Sequence, residues 1–393
     1  MMDIHFLLLL AGLVLFASVL FTRFTSKIGV PILVVFLFLG IFLDTGRFVQ
    51  NSISNYNLVQ SISIFALITI MFSGGLDTSF GHIKPVLKEG ISLSTVGVFI
   101  TFIVVGLSVH YIFNMDLMLS LLLGATVSST DAAAVFSIFR TQNMKIKYDL
   151  DNILELESGT NDPMAYIIVI SIIHLILHPQ TSMVQIVIQF IVSLVVGFIG
   201  GALLGKGLSI FLARLKLPIE GLYPVLLVSA AILSYAITEY FGGNGFLAVY
   251  IAGIIIGNCK IKYKELQLSF FDGFAWVMQI IMFILLGAFT DPSELLTVFV
   301  PALIISIVLI FVARPIAVLI TLAPFKLNMR AKTFISWAGV KGAIPIVFAF
   351  YPLVAQIPDA MTLLNTVMVI TCMSVLLQGS TLKVVAKHLN LLN

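Results

Sequence analysis

Five ionisable side chains stand in stretches of this chain that otherwise suit the middle of a lipid bilayer: Asp131, Glu157, Asp162, Arg314 and Lys341. A charge at that depth costs roughly 2.5–3.5 kcal/mol on insertion scales, so such residues are functional candidates by default. Three are acids and two are bases, which leaves at least one acid without a fixed partner. The bland reading, that every acid is permanently paired for structural reasons, fails on this count. Asp162 is the acid left over. It lies in "ESGTNDPMA" (157–165), where Thr160 and Asn161 supply oxygens and Pro163 withholds a backbone donor. Glu157 is nearer the start of the same run and can meet a base from another span. Arg314 in "FVARPIAV" (311–318) is that base, because a guanidinium fork suits a carboxylate. Taking a carboxylate out of water favours its neutral form, so it can exchange a proton near neutral pH. The same oxygens, when bare, suit a hard monovalent cation. One carboxylate that holds either a proton or a cation is an exchange device.

The elements that must position these groups are membrane helices. Hydrophobic residues make up 60% of the 393 and charged residues 10%, against roughly 45–50% and about 25% in soluble domains. Apolar runs of bilayer-spanning length recur. They centre near Leu13, Leu37, Ile68, Ile100, Ala125, Ala165, Ser193, Ala230, Ala252, Phe283, Ile310, Gly342 and Thr371. The expected fold is an all-α polytopic membrane protein with 13 transmembrane helices. Taking alternate loops, 18 of the 21 Lys and Arg fall on one side, from Arg23 and Lys27 to Lys383 and Lys387, and only Arg47 falls on the other. Basic residues concentrate in the cytoplasm, so the C-terminus is expected inside and the N-terminus outside. The first apolar run lacks a basic start and a cleavage site, so no cleaved signal is expected. Span six starts near Leu150, which puts Asp162 about 18 Å along it at 1.5 Å per residue, near the midplane.

The two halves echo each other. "FLGIFLD" (38–44) matches "IAGIIIGN" (251–258), and "FSGGLD" (72–77) matches "FILLGAFTD" (283–291), at nearly one offset. Asp131 in span five then corresponds to Lys341 in span twelve. The expected organisation is an inverted pair, residues 1–178 (spans 1–6) and 218–393 (spans 8–13), joined by span seven in 179–217. Inverted repeats with interrupted helices at matching positions mark secondary transporters. "TVSSTDAAAVF" (126–136) and "AGVKGAIPIVF" (338–348) would both break a helix at mid-depth. An acid in one break and a base in the other suit the opposite partial charges of crossed half-helices.

Together "SSTDAAAVFS" (128–137), "ESGTNDPMA" (157–165), "ARP" (313–315) and "WAGVKGAIP" (337–345) resemble the signature stretches of the electroneutral monovalent cation/proton antiporter family. The stretch 157–165 most resembles that of the cell-volume-regulation potassium/proton antiporters. The resemblance implies a dimerisation part and a mobile core of six helices that moves as an elevator, and a homodimer in the plasma membrane. It implies a cation- and proton-binding Asp at Asp162, with Thr130, Asp131, Ser158 and Asn161 nearby, and a structural pair of Glu157 and Arg314. "ND" in place of two adjacent acids implies one-for-one exchange of K+ or Na+ for H+. The chain departs from the family's pattern in two ways. Lys341 occupies a position where the family usually has Arg, and lysine lacks the fork. The potassium subset usually carries cytosolic domains after the last span, whereas this sequence stops at Asn393, so regulation by a nucleotide there is expected to be absent.

Other classes fit less well. An intramembrane protease needs GxGD or HExxH, and neither string occurs. A passive channel needs a selectivity loop or a ring of subunits. A sodium-coupled symporter of an organic anion on the same fold is the alternative, though no extra basic pocket residues favour it. No enzyme activity, cofactor or resident metal is expected. His174 and His178 in "HLILH" have a metal-ligand spacing but lack a third ligand, and Cys259 and Cys372 read as packing residues. Gly197, Gly201 and Gly205 form overlapping GxxxG on span seven, fit either for a dimer face or for a neighbouring helix. Asp77, Glu239 and Asp291 are expected to be solvated at span ends.

Overall fold

A computed structural model describes residues 32–43, 53–131, 146–290 and 292–392, with scattered positions at 5–20 and 135–144. Most of the first expected span, most of 132–145 and Asp291 lie outside the described residues. Among the described residues the regular secondary structure is helical apart from one isolated bridge, Ile146 with Leu392.

The helices in chain order are α1 (Ile32–Leu43) and α2 (Ile53–Asp77), then α3 (Phe80–Phe113) and α4 (Leu117–Thr126). Next come α5 (Leu150–Leu177), α6 (Met183–Arg214), α7 (Leu222–Tyr240), α8 (Gly245–Gly257) and α9 (Lys264–Ala288). The last four are α10 (Ser293–Thr321), α11 (Met329–Trp337), α12 (Ala343–Val354) and α13 (Ala360–His388). Eight of them are long and apolar enough to cross a membrane, while α4, α8 and α12 are shorter and apolar. The protein is an integral membrane protein.

Local signals set several boundaries. Asp116 caps α4 by accepting from the backbone N–H of Met118 and Leu119. Ser182 and Gln185 form a reciprocal capping box on α6. Asn244 and Asn328 cap α8 and α11 through the N–H groups of Leu247 and Ala331. α3 stops where Asn114 turns left-handed at φ 50°, a conformation Asn tolerates better than most residues.

Glycine sets how closely the helices approach. α1 meets α9 where Gly40 faces Gly287, and α2 meets α8 where Gly75 faces Gly253; a Cβ at any of the four would strike the opposing backbone. Gly197, Gly201 and Gly205 of α6 lie against Asn244, Ala248 and Ala252 of α8. The GxxxG stripe therefore serves an intramolecular contact, and the other side of α6 carries exposed Met183, Val187, Ile191, Phe198 and Leu203.

Among the described residues, two buried non-helical stretches lie against each other. One is 127–131, after α4, and the other is 338–342, between α11 and α12. Backbone groups released there need partners, because lipid offers none. Gln378 of α13 donates from its side-chain amide to the Trp337 carbonyl, and Ser374 accepts from the Lys341 N–H. Asp131 donates its N–H to the Val340 carbonyl, and its carboxylate accepts from the Ala343 N–H at 3.0 Å. A π-turn over Val375–Gly379 begins directly after Ser374 and contains Gln378, the local widening often found at functional sites.

Candidate functional site

The site is built on α5. Pro163 inside that helix has no N–H, so the Gly159 carbonyl loses its usual partner in the turn that precedes Asp162. The residues on either side are committed in different ways. Glu157 is fully buried and is gripped by Arg314, Nη1 at 2.5 Å and Nη2 at 2.8 Å. Arg314 also donates to the Ile335 carbonyl at 3.4 Å. It follows a π-turn over Leu309–Ala313 and precedes Pro315, an irregularity that sets the direction of its side chain. Gly339 leaves room for the guanidinium, since a Cβ there would sit 2.5 Å from Nε.

Lys341 and Asp131 lie where the two non-helical stretches meet. The Lys341 ammonium donates to the carbonyls of Ser128 and Ser129, at 3.3 and 2.6 Å, just past the C-terminal end of α4. Asp131 meets the N-terminal end of α12 through Ala343. Each charge thus faces the helix end of opposite partial charge. Gly342 is needed at this point, because a Cβ on it would fall on the Asp131 carboxylate.

Asp162 is only 4% exposed, and its Oδ1 has no hydrogen-bond partner among the described residues. It lines a cavity of about 500 Å³ together with Asp77, Asp131, Glu155, Ser158 and Asp272. Asp77 and Asp272 are exposed at the mouth, Glu155 is half-buried, and Asp131 and Asp162 are buried at the inner end. Five carboxylates line this space, and among the described residues no Lys or Arg does. Beyond Asp162, one helical turn further along α5, Tyr166 packs edge-on against Phe246 and Tyr351 with ring centres 5.0 and 5.5 Å apart. That aromatic layer lies on the side of Asp162 away from the mouth.

The five residues read from sequence as cation-binding divide into two layers. Asp162, Asp131 and Ser158 line the cavity; Thr130 and Asn161 stand behind them. Asn161 donates to Thr130 Oγ1 at 2.6 Å, and Ser158 Oγ donates to the Thr130 carbonyl at 2.7 Å. The Ser158 proton is thereby committed, so toward the cavity its oxygen can offer only lone pairs. Sequence reasoning passed over Glu155, Thr78 and Asp272. Asp272 sits in "SFFDGFAW" (269–276), a charge in an apolar run, the same signal that drew attention to the other five. Glu239 is half-buried rather than solvated and accepts from the Gly245 N–H at 2.9 Å. The His174 and His178 rings lie against each other at a tilt, with centres 4.7 Å apart, and no group of three His, Cys, Asp or Glu among the described residues could hold a metal ion.

The family model for the transmembrane sodium/hydrogen exchanger matches residues 12–388. The chain belongs to the sodium/hydrogen exchanger family. This is a family of transporters rather than of enzymes. Within it, the chain is 38% identical over 389 residues to the K(+)/H(+) antiporter NhaP of Alkalimonas amylolytica, covering 99% of this chain and 67% of that one. It is 34% identical to the K(+)/H(+) antiporter NhaP2 of Shewanella oneidensis, covering 98% of this chain and 67% of the relative. The chain thus spans about two thirds of the length of these relatives. Among solved structures, the sodium proton antiporter MjNhaP1 of Methanocaldococcus jannaschii at pH 8 superposes with a TM-score of 0.84 at 22% identity, covering 96% of this chain and 97% of that one. At that identity the exchanger fold is what the likeness establishes.

Proposed function

We propose that this exchanger-family chain swaps K+ or Na+ for H+ across the membrane, with the proton and the cation competing for Asp162. The observation that carries the reading is a carboxylate oxygen, buried and without a hydrogen-bond partner among the described residues, at the inner end of a cavity lined by five acids and no Lys or Arg. A dehydrated cation needs oxygen ligands, and Asp162, Asp131 and Ser158 provide them, with Thr130 and Asn161 fixing their positions. Glu157 and Arg314 are structural, since each neutralises the other's charge. Lys341 and Asp131 hold the two helix ends at the crossing. One exchanging carboxylate makes the cycle electroneutral, one cation for one proton.

The naming of relatives as K(+)/H(+) antiporters supports potassium as the cation. The cavity opens beside Asp77 and Asp272, near the Lys-rich segments 84–88 and 260–264, which we assign to the cytoplasm; the N-terminus is then external and the site faces inward. Spans five and twelve are the broken crossing pair of a thirteen-span inverted repeat, 1–178 and 218–393, joined by span seven. The glycine contacts support that pairing. Gly40 with Gly287 and Gly75 with Gly253 are exchanged by the repeat, at offsets of 213 (40 to 253) and 212 (75 to 287). An elevator movement of the core, carrying Asp162 past a scaffold within a homodimer, would expose the site to the other side. A symporter of an organic anion is disfavoured, because no basic side chain among the described residues lines the cavity to receive one.

The test is dye-reported proton movement in acid-loaded vesicles on addition of KCl, NaCl or RbCl. Exchange gives salt-triggered alkalinisation, unaffected by a potassium ionophore if the cycle is electroneutral. No alkalinisation with any cation would refute the proposal.

A further inference from the structure

Glu155, half-buried, lines the cavity seven residues before Asp162 on α5, and the oxygens around it pose a problem of hydrogen count. Thr78 Oγ1, buried, is 2.6 Å from Glu155 Oε1 and 2.8 Å from the Gly74 carbonyl, with the Tyr250 hydroxyl at 3.5 Å. A threonine hydroxyl carries one proton. If Glu155 is ionised, that proton must serve either the carboxylate or the carbonyl, and the other short contact has no hydrogen in it. If Glu155 carries a proton, it donates to Thr78, Thr78 donates to Gly74, and each short contact holds one hydrogen. The groups facing this carboxylate point the same way. Asp77, the last residue of α2, adjoins Thr78, Asp151 is one turn earlier on α5, and Asp272 lines the same cavity from α9; among the described residues His82 on α3 is the basic group nearby. Tyr250 is the titratable contact from α8.

We propose that Glu155 is a second proton-binding site, distinct from the exchange site, which weakens cation capture at the cavity mouth when protonated and adds a cation-attracting carboxylate when ionised. The inference rests on the reading of Asp162 as the exchange site, but it concerns a residue to which that reading gives no ligand role. Loss of the Glu155 proton frees the Thr78 hydroxyl to turn to the carboxylate and gives the mouth one more negative charge beside Asp77 and Asp272. The ligand recruited is a partly hydrated monovalent cation on its way to Asp162.

Two measurements test this. The first is the apparent KM for K+ against pH in vesicles, for the unaltered chain and Glu155→Gln. The variant mimics the permanently protonated state. Its KM is expected to be several-fold higher at alkaline pH and to converge with the unaltered value at acidic pH, with the maximal rate retained. Superimposable KM profiles, or a lost maximal rate with unchanged KM, would overturn the proposal. The second is infrared spectroscopy of purified protein, in which the protonated carboxyl band of Glu155 should vanish on raising pH and be missing in Glu155→Gln. Asp77→Asn, a change at an exposed residue, should move that disappearance to lower pH, because a neutral neighbour no longer opposes ionisation of Glu155; a band insensitive to both changes would also overturn it. The infrared arm needs no transport. A chain that exchanges nothing but keeps the band would sink the transport reading alone, and one that exchanges normally without the band would sink this inference alone.

Discussion

Gly342 shows how little freedom the site has at the scale of single residues. A methyl group there would land on the Asp131 carboxylate, which caps the N–H of Ala343. Gly342→Ala is therefore expected to displace Asp131, leave the α12 N-terminus uncapped and cut exchange by about tenfold or more, since misplacement of a reacting group by about 1 Å costs rates of that order or beyond. Exchange by this variant within twofold of the unaltered rate would contradict that reading. The central charges were legible in the sequence because ionisable groups in apolar runs are conspicuous. Glu155 was not, because its role depends on Thr78, which lies 77 positions away in sequence, and no local pattern reports that contact. The division of the five ligand candidates into a lining pair of acids with Ser158 and a backing pair, Thr130 and Asn161, also needed coordinates, since helix phase alone does not say which face borders water.

At the scale of elements, the Glu157–Arg314 pair fastens α5 to α10. Both residues are almost wholly buried, and removing one member of a buried pair strands the other charge at a cost of about 3–5 kcal/mol. Glu157→Gln should lower the thermal unfolding midpoint of purified protein markedly, and Arg314→Lys should recover only part of the stability lost on removing the base, because an ammonium cannot replace the two-pronged contact. An unchanged midpoint in Glu157→Gln would count against this structural role. The close helix pairs make a second expectation. Gly75→Ala and Gly253→Ala press a Cβ onto the same backbone contact between α2 and α8, so each should destabilise by about 1–3 kcal/mol; thermal unfolding of the two variants checks it. The glycines were visible in sequence as an echo between the halves, but not which helix each would touch. The GxxxG stripe on α6 is a similar case. Its spacing announced a close approach, and only the structure assigned that approach to α8 rather than to a second subunit.

For the whole molecule, the arrangement is one-sided: exposed Asp77 and Asp272 line the cavity at one end, and an aromatic layer of Tyr166, Phe246 and Tyr351 lies beyond Asp162. Cysteines placed at exposed Asp77 or Asp272 should react with a membrane-impermeant thiol reagent only from the cytoplasmic face, while one placed at Tyr166 should be protected from the opposite face. Labelling of Asp77→Cys from outside intact cells would contradict the assigned orientation. The asymmetry of basic residues made an expected orientation readable before any coordinates, and this labelling tests it. The shape of the cavity was not, because it arises where α2, α5, α8 and α9 fail to fill the space between them.

The central claim is that one carboxylate holds either a proton or a cation. Its most direct measurement is proton release from purified protein in weakly buffered detergent on addition of K+ or Na+, for the unaltered chain and Asp162→Asn. The account predicts that cation binding expels about one proton per site, and that Asp162→Asn, folded and thermally stable, expels none. Cation binding to the unaltered protein without proton release, or an undiminished release from Asp162→Asn, would contradict it.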